Sequence, residues 1–386
     1  MEAQEQTYNN GQTISIKDEE TGSVMNIQNP NYLYSKAIPT EDKSYTESSI
    51  INVNNQTRQI DFTYPAPPNE SYIKEMWDTL DKFEDVAWSP NNTGIKSGYN
   101  CFDIAFDGGF YPGFTIIGGD SNLGKTALMT NLAWNIISNN DNVYVMDFSL
   151  DDAMRDKLSR MAACSGKLII NAVKTPLRYQ QYPLMLARRK IAMLQLRSMA
   201  DKYCAYDASF STYVEDIQKE IIDRKIYFDE HGINKKLVVF IDNFHDMEIR
   251  DQPNLDPNTK FDVLAQWCSD FAEQYNIVLI CTAELKKLNG SKRPMLDDIR
   301  QSVKIKYEAK AVILVYNEVH YKNEAASVYY TVPNNPYKQP IFEVHFAKNK
   351  FGTYKGRNYF EFYPEMAYLK ECDDKSQQSY NSIIYG

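Results

Sequence analysis

The chain has 386 residues, a formal net charge of −9 and 43% hydrophobic residues. That length admits one large α/β domain with an extension, or two to three smaller domains, and the apolar content is enough for a sizeable core. The acidic balance argues against a nucleic-acid coat protein while leaving room for a local basic track, and no apolar run approaches the roughly 20 residues of a membrane span.

Residues 1–68 are rich in Asn, Gln, Ser, Thr and charge. Such a segment is expected to be disordered or to fold only on a partner, with Ser48–Val53 and Ile60–Tyr64 as candidate short strands before the break at Pro65–Pro68. The N-terminus is polar and acidic, unlike a signal peptide. From Glu70 to Val86, residues Tyr72, Ile73, Met76, Trp77, Leu80 and Phe83 recur at helical spacing, which predicts a linker helix within 69–92. A lone helix of this length is marginal in water, so its apolar face calls for a docking surface.

A strand over Phe114–Ile117 leads into GGDSNLGKT at 118–126, and Ala127–Ile137 follows with helical spacing. The stretch from Gly119 to Thr126 satisfies G-x-x-x-x-G-K-[ST]. A strand–loop–helix of this kind points backbone N–H groups at one small volume. Gly119, Asp120, Ser121, Asn122, Leu123, Gly124, Lys125, Thr126 and Ala127 are the candidate cradle for a nucleotide. Lys125 would bring a point charge to the β- and γ-phosphates, and Thr126 a hydroxyl to Mg²⁺, a hard cation that prefers oxygen ligands. ATP and Mg²⁺ are the expected cofactors.

The next buried strand, Val143–Phe148, carries Asp147, Asp151 and Asp152 in or just after it, and is expected to lie beside the phosphate-loop strand. Any of the three could orient an attacking water, or cap the helix that follows; spacing does not choose among them. Residues 152–229 read as mostly helical. The strand Lys236–Asp242 ends in a carboxylate, which downstream of a phosphate loop is the second half of a nucleotide site and a candidate holder of the Mg²⁺ shell. An amphipathic helix over Phe261–Tyr275 and apolar strands at Ile277–Thr282 and Ala311–Tyr316 complete an alternating pattern. That pattern predicts a mostly parallel sheet flanked by helices. Beyond Tyr321, SVYYTV, PIFEVHFAKNK and NYFEFYP read as antiparallel strands.

Lys286–Arg300 is the most basic loop, with Lys286, Lys287, Lys292, Arg293 and Arg300 able to track a phosphate backbone. Lys348 and Lys350 sit at a strand end. The cysteines (Cys101, Cys164, Cys204, Cys268, Cys281 and Cys372) are far apart with no C-x-x-C, and the histidines are scattered. No zinc site is expected, and the thiols read as reduced and cytoplasmic.

With these pieces in order, residues from about Thr93 to Leu369 resemble the motor domain of the DnaB-like replicative helicases, within the RecA-like P-loop ATPases. TGIKSGYNCFDIAFDGGFYPGFTIIGG resembles the family's entry to the phosphate loop, DFSLDD its F-S-L-E-M and VVFIDNF its I-D-Y-L. TAELKK resembles its S-Q-L-N-R, KRPMLDDIRQS its R-P-x-x-x-D-L-R-E-S, and AKNKFGTYKG its K-Q-R-N-G-x-x-G. The last also resembles the K-N-R-F-G of bacterial RadA repair ATPases.

The resemblance implies a RecA-like core at 93–370, followed by a flexible tail at 371–386. It implies a ring, hexameric in the family, that hydrolyses ATP at subunit interfaces and moves along single-stranded DNA in bacterial or phage-infected cytoplasm, with a primase or helicase loader as partner. The abundance of Asn, Tyr and Ile is compatible with an AT-rich genome such as a phage's. By position, Lys125 and Thr126 take phosphate and Mg²⁺, Asp242 the Mg²⁺ shell, Asp151 the place of the catalytic Glu and Glu284 that of a γ-phosphate-sensing Gln. Lys348 and Lys350 match a Lys and Arg finger acting on the neighbouring subunit's nucleotide, and Arg300, Gln301 and Ser302 a loop that holds DNA.

Several positions depart from the pattern. Asp151 is one methylene shorter than Glu, Glu284 is charged where a neutral amide is usual, Lys350 lacks the guanidinium fork, and Val303 replaces a Gly. The family's helical N-terminal domain has no counterpart in residues 1–92. A RadA- or recombinase-like repair ATPase and a hydrolysis-poor nucleotide-binding scaffold are the alternatives.

Overall fold

The computed structural model describes residues 7–9, 13–17, 24–28, 70–88, 92–252, 254–286, 292–300, 304–333 and 335–386. It divides into two units, 1–89 and 90–386. In the first, strands β1 (Thr7–Asn9), β2 (Thr13–Lys17) and β3 (Val24–Gln28) form an antiparallel meander within the segment expected to lack structure. The candidate strands at Ser48–Val53 and Ile60–Tyr64 lie outside the described residues. Helix α1 (Glu70–Ala87) is the predicted linker helix, and Met76, Leu80 and Phe83 of its apolar row are exposed.

The second unit begins with helix α2 (Asn100–Ala105) and strand β4 (Gly113–Gly119). Helix α3 (Lys125–Asn139), strand β5 (Val143–Ser149) and helices α4 (Met154–Gly166), α5 (Ile170–Lys174) and α6 (Pro183–Ser198) follow. Strand β6 (Tyr203–Tyr206), helix α7 (Val214–Glu230), strand β7 (Lys236–Asp242), helix α8 (Pro257–Gln274) and strand β8 (Val278–Glu284) come next. Helix α9 (Lys304–Glu308), strand β9 (Ala311–Asn317) and helix α10 (Glu318–Lys322) lead into strands β10 (Tyr329–Tyr330), β11 (Gln339–Asn349), β12 (Arg357–Tyr363) and β13 (Tyr368–Glu371). Helix α11 (Asp374–Tyr385) ends the chain.

The strands form one sheet in the order β13-β12-β11-β9-β4-β8-β7-β5-β6, with β10 against β11. From β9 to β6 the pairings are parallel, and from β9 outward to β13 they are antiparallel. This is the predicted mixed sheet, but one neighbour differs. β4 is flanked by β8 and β9; β5, expected beside it, lies three strands away. Val278–Ala283 of β8 are buried on both faces, which requires strands at both edges, so β8 takes the central slot and β5 moves outward.

Alternate residues along the strands feed two cores, as the period of two requires. Ile117, Val145, Phe240, Ile280 and Ile313 pack with α2 and α3 on one face. Ile116, Met146, Ile241, Cys281 and Leu314 pack with α7 and α8 on the other. Helix α8 starts four residues before its first apolar position, because Asp256 accepts hydrogen bonds from the N–H groups of Asn258 and Thr259 and Pro257 takes the first helical place. The expected flexible tail is folded: Asp373 caps α11, whose Tyr380 and Ile384 pack against Val328, Ile341 and Tyr359.

Buried Asn131 ties α3 to the far edge of this unit. Its amide donates to the carbonyls of Ala127 and Ala367, both at 2.7 Å, and its oxygen accepts from Leu369 N–H and the Tyr99 hydroxyl, both at 3.1 Å. Asn131→Ala leaves those groups unpaired without water. Urea denaturation should show a loss of about 2–4 kcal/mol, with the larger part of it absent if only the side-chain volume matters.

Candidate nucleotide site

The parallel order carries the C-terminal ends of β4, β8, β7 and β5 to one edge of the sheet. Register then sets which residues meet there. Gly119 pairs with Glu284, and Ser149 with Asp242. Leu150 N–H donates to the Asp242 carbonyl at 2.7 Å, which brings Asp151 within two residues of the β7 end.

The phosphate loop leaves β4 at Gly119, where a Cβ would lie 2.5 Å from Val315 Cγ2. Asn122 has φ 60°, and Gly124 has φ 108° with its missing Cβ facing Phe362 and Phe342 at 3.0 and 3.2 Å. Only glycine fits there, since both the dihedral and the aromatic wall exclude a side chain. Lys125 Nζ folds back over the loop and donates to the carbonyls of Gly119 and Asp120, each at 3.0 Å. Burial lowers the ammonium's pKa, and Asp242, Glu284, Asp120 and Asp151 pull it back upward. Those carboxylates belong to four different segments, and their shared influence on one ammonium shows that they converge. Asp120 accepts from Ser121 N–H at 2.8 Å and from the Tyr321 hydroxyl at 3.0 Å; Tyr321 in turn stacks on Tyr316.

Asp242 is 4% exposed. Its Oδ1 accepts from the Thr282 hydroxyl, and its Oδ2 is buried with no hydrogen-bond partner. A buried carboxylate oxygen without a donor fits a hydrated cation beside the Thr126 hydroxyl, as the chemistry of Mg²⁺ asks.

The three aspartates after β5 now separate. Asp147 is buried against Lys157 at 2.6 Å and the Tyr203 hydroxyl at 2.9 Å. Asp152 is held by the Arg160 fork. Asp151 has no cation within ion-pair distance among the described residues, and burial, then Asp242 and Asp152, raise its pKa above the usual carboxylate range.

Glu284 is not an isolated charge. Arg300 Nη1 pairs with its Oε2 at 2.9 Å, and Arg300 N–H donates to its carbonyl at 3.1 Å. His245, three residues beyond Asp242, joins the same group: its Nδ1 accepts from Glu284 N–H at 3.2 Å and its Nε2 lies 3.3 Å from the Arg300 carbonyl. Burial pushes the imidazole down to about 4, so it is neutral near pH 7, a donor at Nε2 and an acceptor at Nδ1. A scattered histidine gives no signal in the sequence; nor do Thr282, Tyr321 or Asp246, whose carboxyl is raised by burial and then by Asp151, Glu284 and Asp242.

The basic loop divides. Lys286, Lys292 and Arg300 are exposed, and Lys286 Nζ donates to the Asp297 carbonyl at 3.0 Å. Arg293, expected to face a phosphate backbone, is turned inward onto Glu343 and Glu318. Lys287, Gln301 and Ser302 lie outside the described residues.

Lys348 and Lys350 are not near the loop. Lys348 pairs in register with Val312, and Lys350 N–H donates to the Lys310 carbonyl, whose own N–H donates to Phe114. Both lysines thus sit level with the start of β4, at the opposite end of the sheet from Gly119. Lys348 Nζ donates to the carbonyls of Lys306 and Tyr307, and burial, with help from the Lys350 charge, brings it down to about 8.

Comparison with known proteins agrees with this geometry. The profile of the DnaB-like helicase C terminal domain matches residues 94–370. A probable replicative DNA helicase of Trieres chinensis is 21% identical over 265 residues, covering 66% of this chain and 56% of that protein. The replicative DNA helicase DnaB of Rickettsia bellii is 26% identical over 251 residues, covering 61% of this chain and 47% of that protein. The chain therefore spans about half the length of these curated relatives. Among solved structures, the ATPase domain of a phage helicase superposes with a TM-score of 0.63 at 19% identity, covering 79% of this chain and 99% of that one. A DnaB-like replicative helicase, described together with its interactions with primase, gives 0.64 at 19% identity, covering 80% and 72%. Those likenesses carry the RecA-like fold, and the domain match, which implies nucleotide binding, settles the family: this chain belongs to the DnaB-like helicases through their C-terminal domain.

Proposed function

We propose that this chain is the ATP-hydrolysing motor of a ring-shaped DNA helicase, acting on single-stranded DNA during replication. The observation that carries the reading is the division of the site. Phosphate loop, Asp242, Asp151 and Glu284 share one end of the sheet, while Lys348 and Lys350 lie at the other. β4 alone spans seven residues, on the order of 20 Å, so those lysines do not reach their own loop. Two copies arranged head to tail would join one copy's loop to its neighbour's lysines, and a closed rotation gives a ring, six-membered in the family.

Within such a site, Lys125 exchanges its contacts with the Gly119 and Asp120 carbonyls for the β- and γ-phosphates, and the loop N–H groups hold the phosphate oxygens. Thr126 and the unpartnered Asp242 oxygen would hold Mg²⁺, which when bound neutralises charge on the phosphates. Asp151 orients the attacking water; being short, it works close in or through a second water. Lys348 and Lys350 of the next copy stabilise charge on the transferred group as point charges. Lys286, Lys292 and Arg300 present the DNA-facing charge. A primase or loader is the expected further partner. The hydrolysis-poor scaffold remains the second reading, favoured by the short Asp151 and by the Arg300 charge that already neutralises Glu284.

The test is ATP turnover with and without single-stranded DNA, followed by unwinding of a forked duplex. DNA-stimulated turnover and unwinding are expected. Stimulation without unwinding would favour a repair ATPase, and nucleotide binding without turnover the scaffold. Lys125→Ala should lower turnover on the order of 10²-fold or more and abolish unwinding.

The state of Asp151 sets a pH dependence. It orients water as the carboxylate, and its raised pKa moves the acid limb of kcat/KM above the usual Asp range. Activity should therefore fall as pH drops through that raised value. Asp151→Asn should remove the limb and most of the turnover while nucleotide binding persists; an unchanged profile would remove Asp151 from this role.

The linker helix supplies a second contact between copies. α1 carries an exposed apolar row and mostly acidic flanks, including Glu75, Asp78, Asp81 and Glu84. α6 exposes Leu184 (81%), Ile191 and Leu194, and carries Arg188, Arg189, Lys190 and Arg197 without an acidic residue. Docking of α1 on a neighbour's α6 would cover both rows and pair opposite charges. Leu184→Asp should shift the sedimentation profile from ring to single chains with nucleotide binding intact, and an unchanged profile would place the contact elsewhere.

A further inference from the structure

Arg293 lies in the basic loop, yet its guanidinium makes no use of the solvent side. Nε donates to both Glu343 oxygens, at 3.1 and 2.8 Å, and Nη2 to Glu343 Oε1 at 2.7 Å. Nη2 also reaches Glu318 Oε2 at 3.4 Å, and the fork lies 5.1 Å from the Tyr316 ring centre. The side chain is 20% exposed, against 2% for Glu318 and 0% for Glu343. Neither acceptor lies in the loop: Glu343 is mid-strand in β11, and Glu318 opens α10. Lys322 pairs with Glu318, Val328 N–H donates to it at 2.9 Å, and Arg357 stands 3.5 Å from Glu343.

A buried ion cluster is weak evidence for stability, because apolar side chains of similar volume do as well or better. What a bidentate fork supplies is orientation. The described part of the loop, Lys292–Arg300, is fixed at two points. Arg293 holds one end to the antiparallel edge strands, and Arg300 holds the other to Glu284 and, through its carbonyl, to His245. Exposed Lys292 adjoins the first point, and the second is Arg300 itself.

We infer that Arg293 is a positioning residue, which pins the DNA-facing loop to buried Glu343 and Glu318 and so sets the placement of Lys292 and Arg300 without touching DNA. This rests on the reading of the loop as the DNA contact. The pin makes the antiparallel strands part of the DNA-binding apparatus although they carry none of the exposed cations.

The two roles differ in salt dependence. A cation that contacts a phosphate of a single strand contributes a slope of about −0.7 to log K against log salt, and one that only positions others contributes none. The experiment measures binding of a labelled oligo(dT) by the full chain across a salt series, with a fluorescent ATP analogue as a control for the folded site. The variants are Arg293→Lys, the paired Arg293→Met/Glu343→Gln, which leaves no buried carboxylate unmatched by Arg293, and Lys292→Ala.

The paired variant should weaken oligo(dT) binding roughly tenfold, the size of one lost charge-assisted contact, with wild-type slope and wild-type ATP-analogue binding. Arg293→Lys should recover part of the affinity, and Lys292→Ala should flatten the slope by about 0.7. A flattened slope in both Arg293 variants would make Arg293 a phosphate contact and overturn the proposal. So would unchanged affinity, or a loss in Arg293→Lys matched by an equal loss of ATP-analogue binding, which would mark a structural residue only. Wild-type protein that binds ATP analogue but no oligo(dT) would overturn the loop reading itself, and this proposal with it.

Discussion

The Lys125 ammonium is the constraint around which the rest of the molecule is arranged. It is largely withdrawn from water, it leans on two carbonyls of its own loop, and carboxylates from four segments bear on it. A buried cation needs such company, since desolvation alone would drive it to the neutral form. The carboxylates cannot be supplied by one local stretch. They require the parallel order that brings the ends of β4, β8, β7 and β5 together, with the two cores holding the sheet from either face. The fold thus precedes the site physically: strand order fixes the charges, and the charges fix what the loop can bind.

The loops beyond the strand ends are secured less by burial of apolar surface than by specific polar contacts. His245 is the clearest case. As a neutral ring it can accept from one element and donate to another at once, and it does so between Glu284 and Arg300. Asp120 plays a similar part, joining the phosphate loop to the stacked Tyr321 and Tyr316. The unusual residues in the sequence also answer one another. Glu284 is charged where the family has an amide, and Arg300 lies against it; neither can be understood from its own position.

How much of this is legible in the chain follows from range. The phosphate loop, the β7 carboxylate and the parallel character of the core are written in contiguous stretches whose local chemistry is decisive. Strand order is not: chain order suggests β5 beside β4, and only the full burial of β8 on both faces explains why it lies between. The three aspartates after β5 look alike in sequence, and become different once Lys157 and Arg160 have taken two of them. Lys292 and Arg293 are adjacent cations that a reading of composition treats as equal. One is exposed and the other is drawn inward by Glu343, fifty positions further on. The final helix escapes such a reading because its apolar side is short and its partner surface belongs to β11 and β12.

The placement of Lys348 and Lys350 at the far end of the sheet has a consequence for damage. In a head-to-tail assembly each copy owes something to the site on its left and something else to the site on its right. A protomer with a broken loop would still lend its lysines, and one with broken lysines would still host nucleotide. The two defects would therefore silence different pockets, and a copy carrying both would silence two. Mixed populations should lose output faster than the fraction of faulty copies suggests.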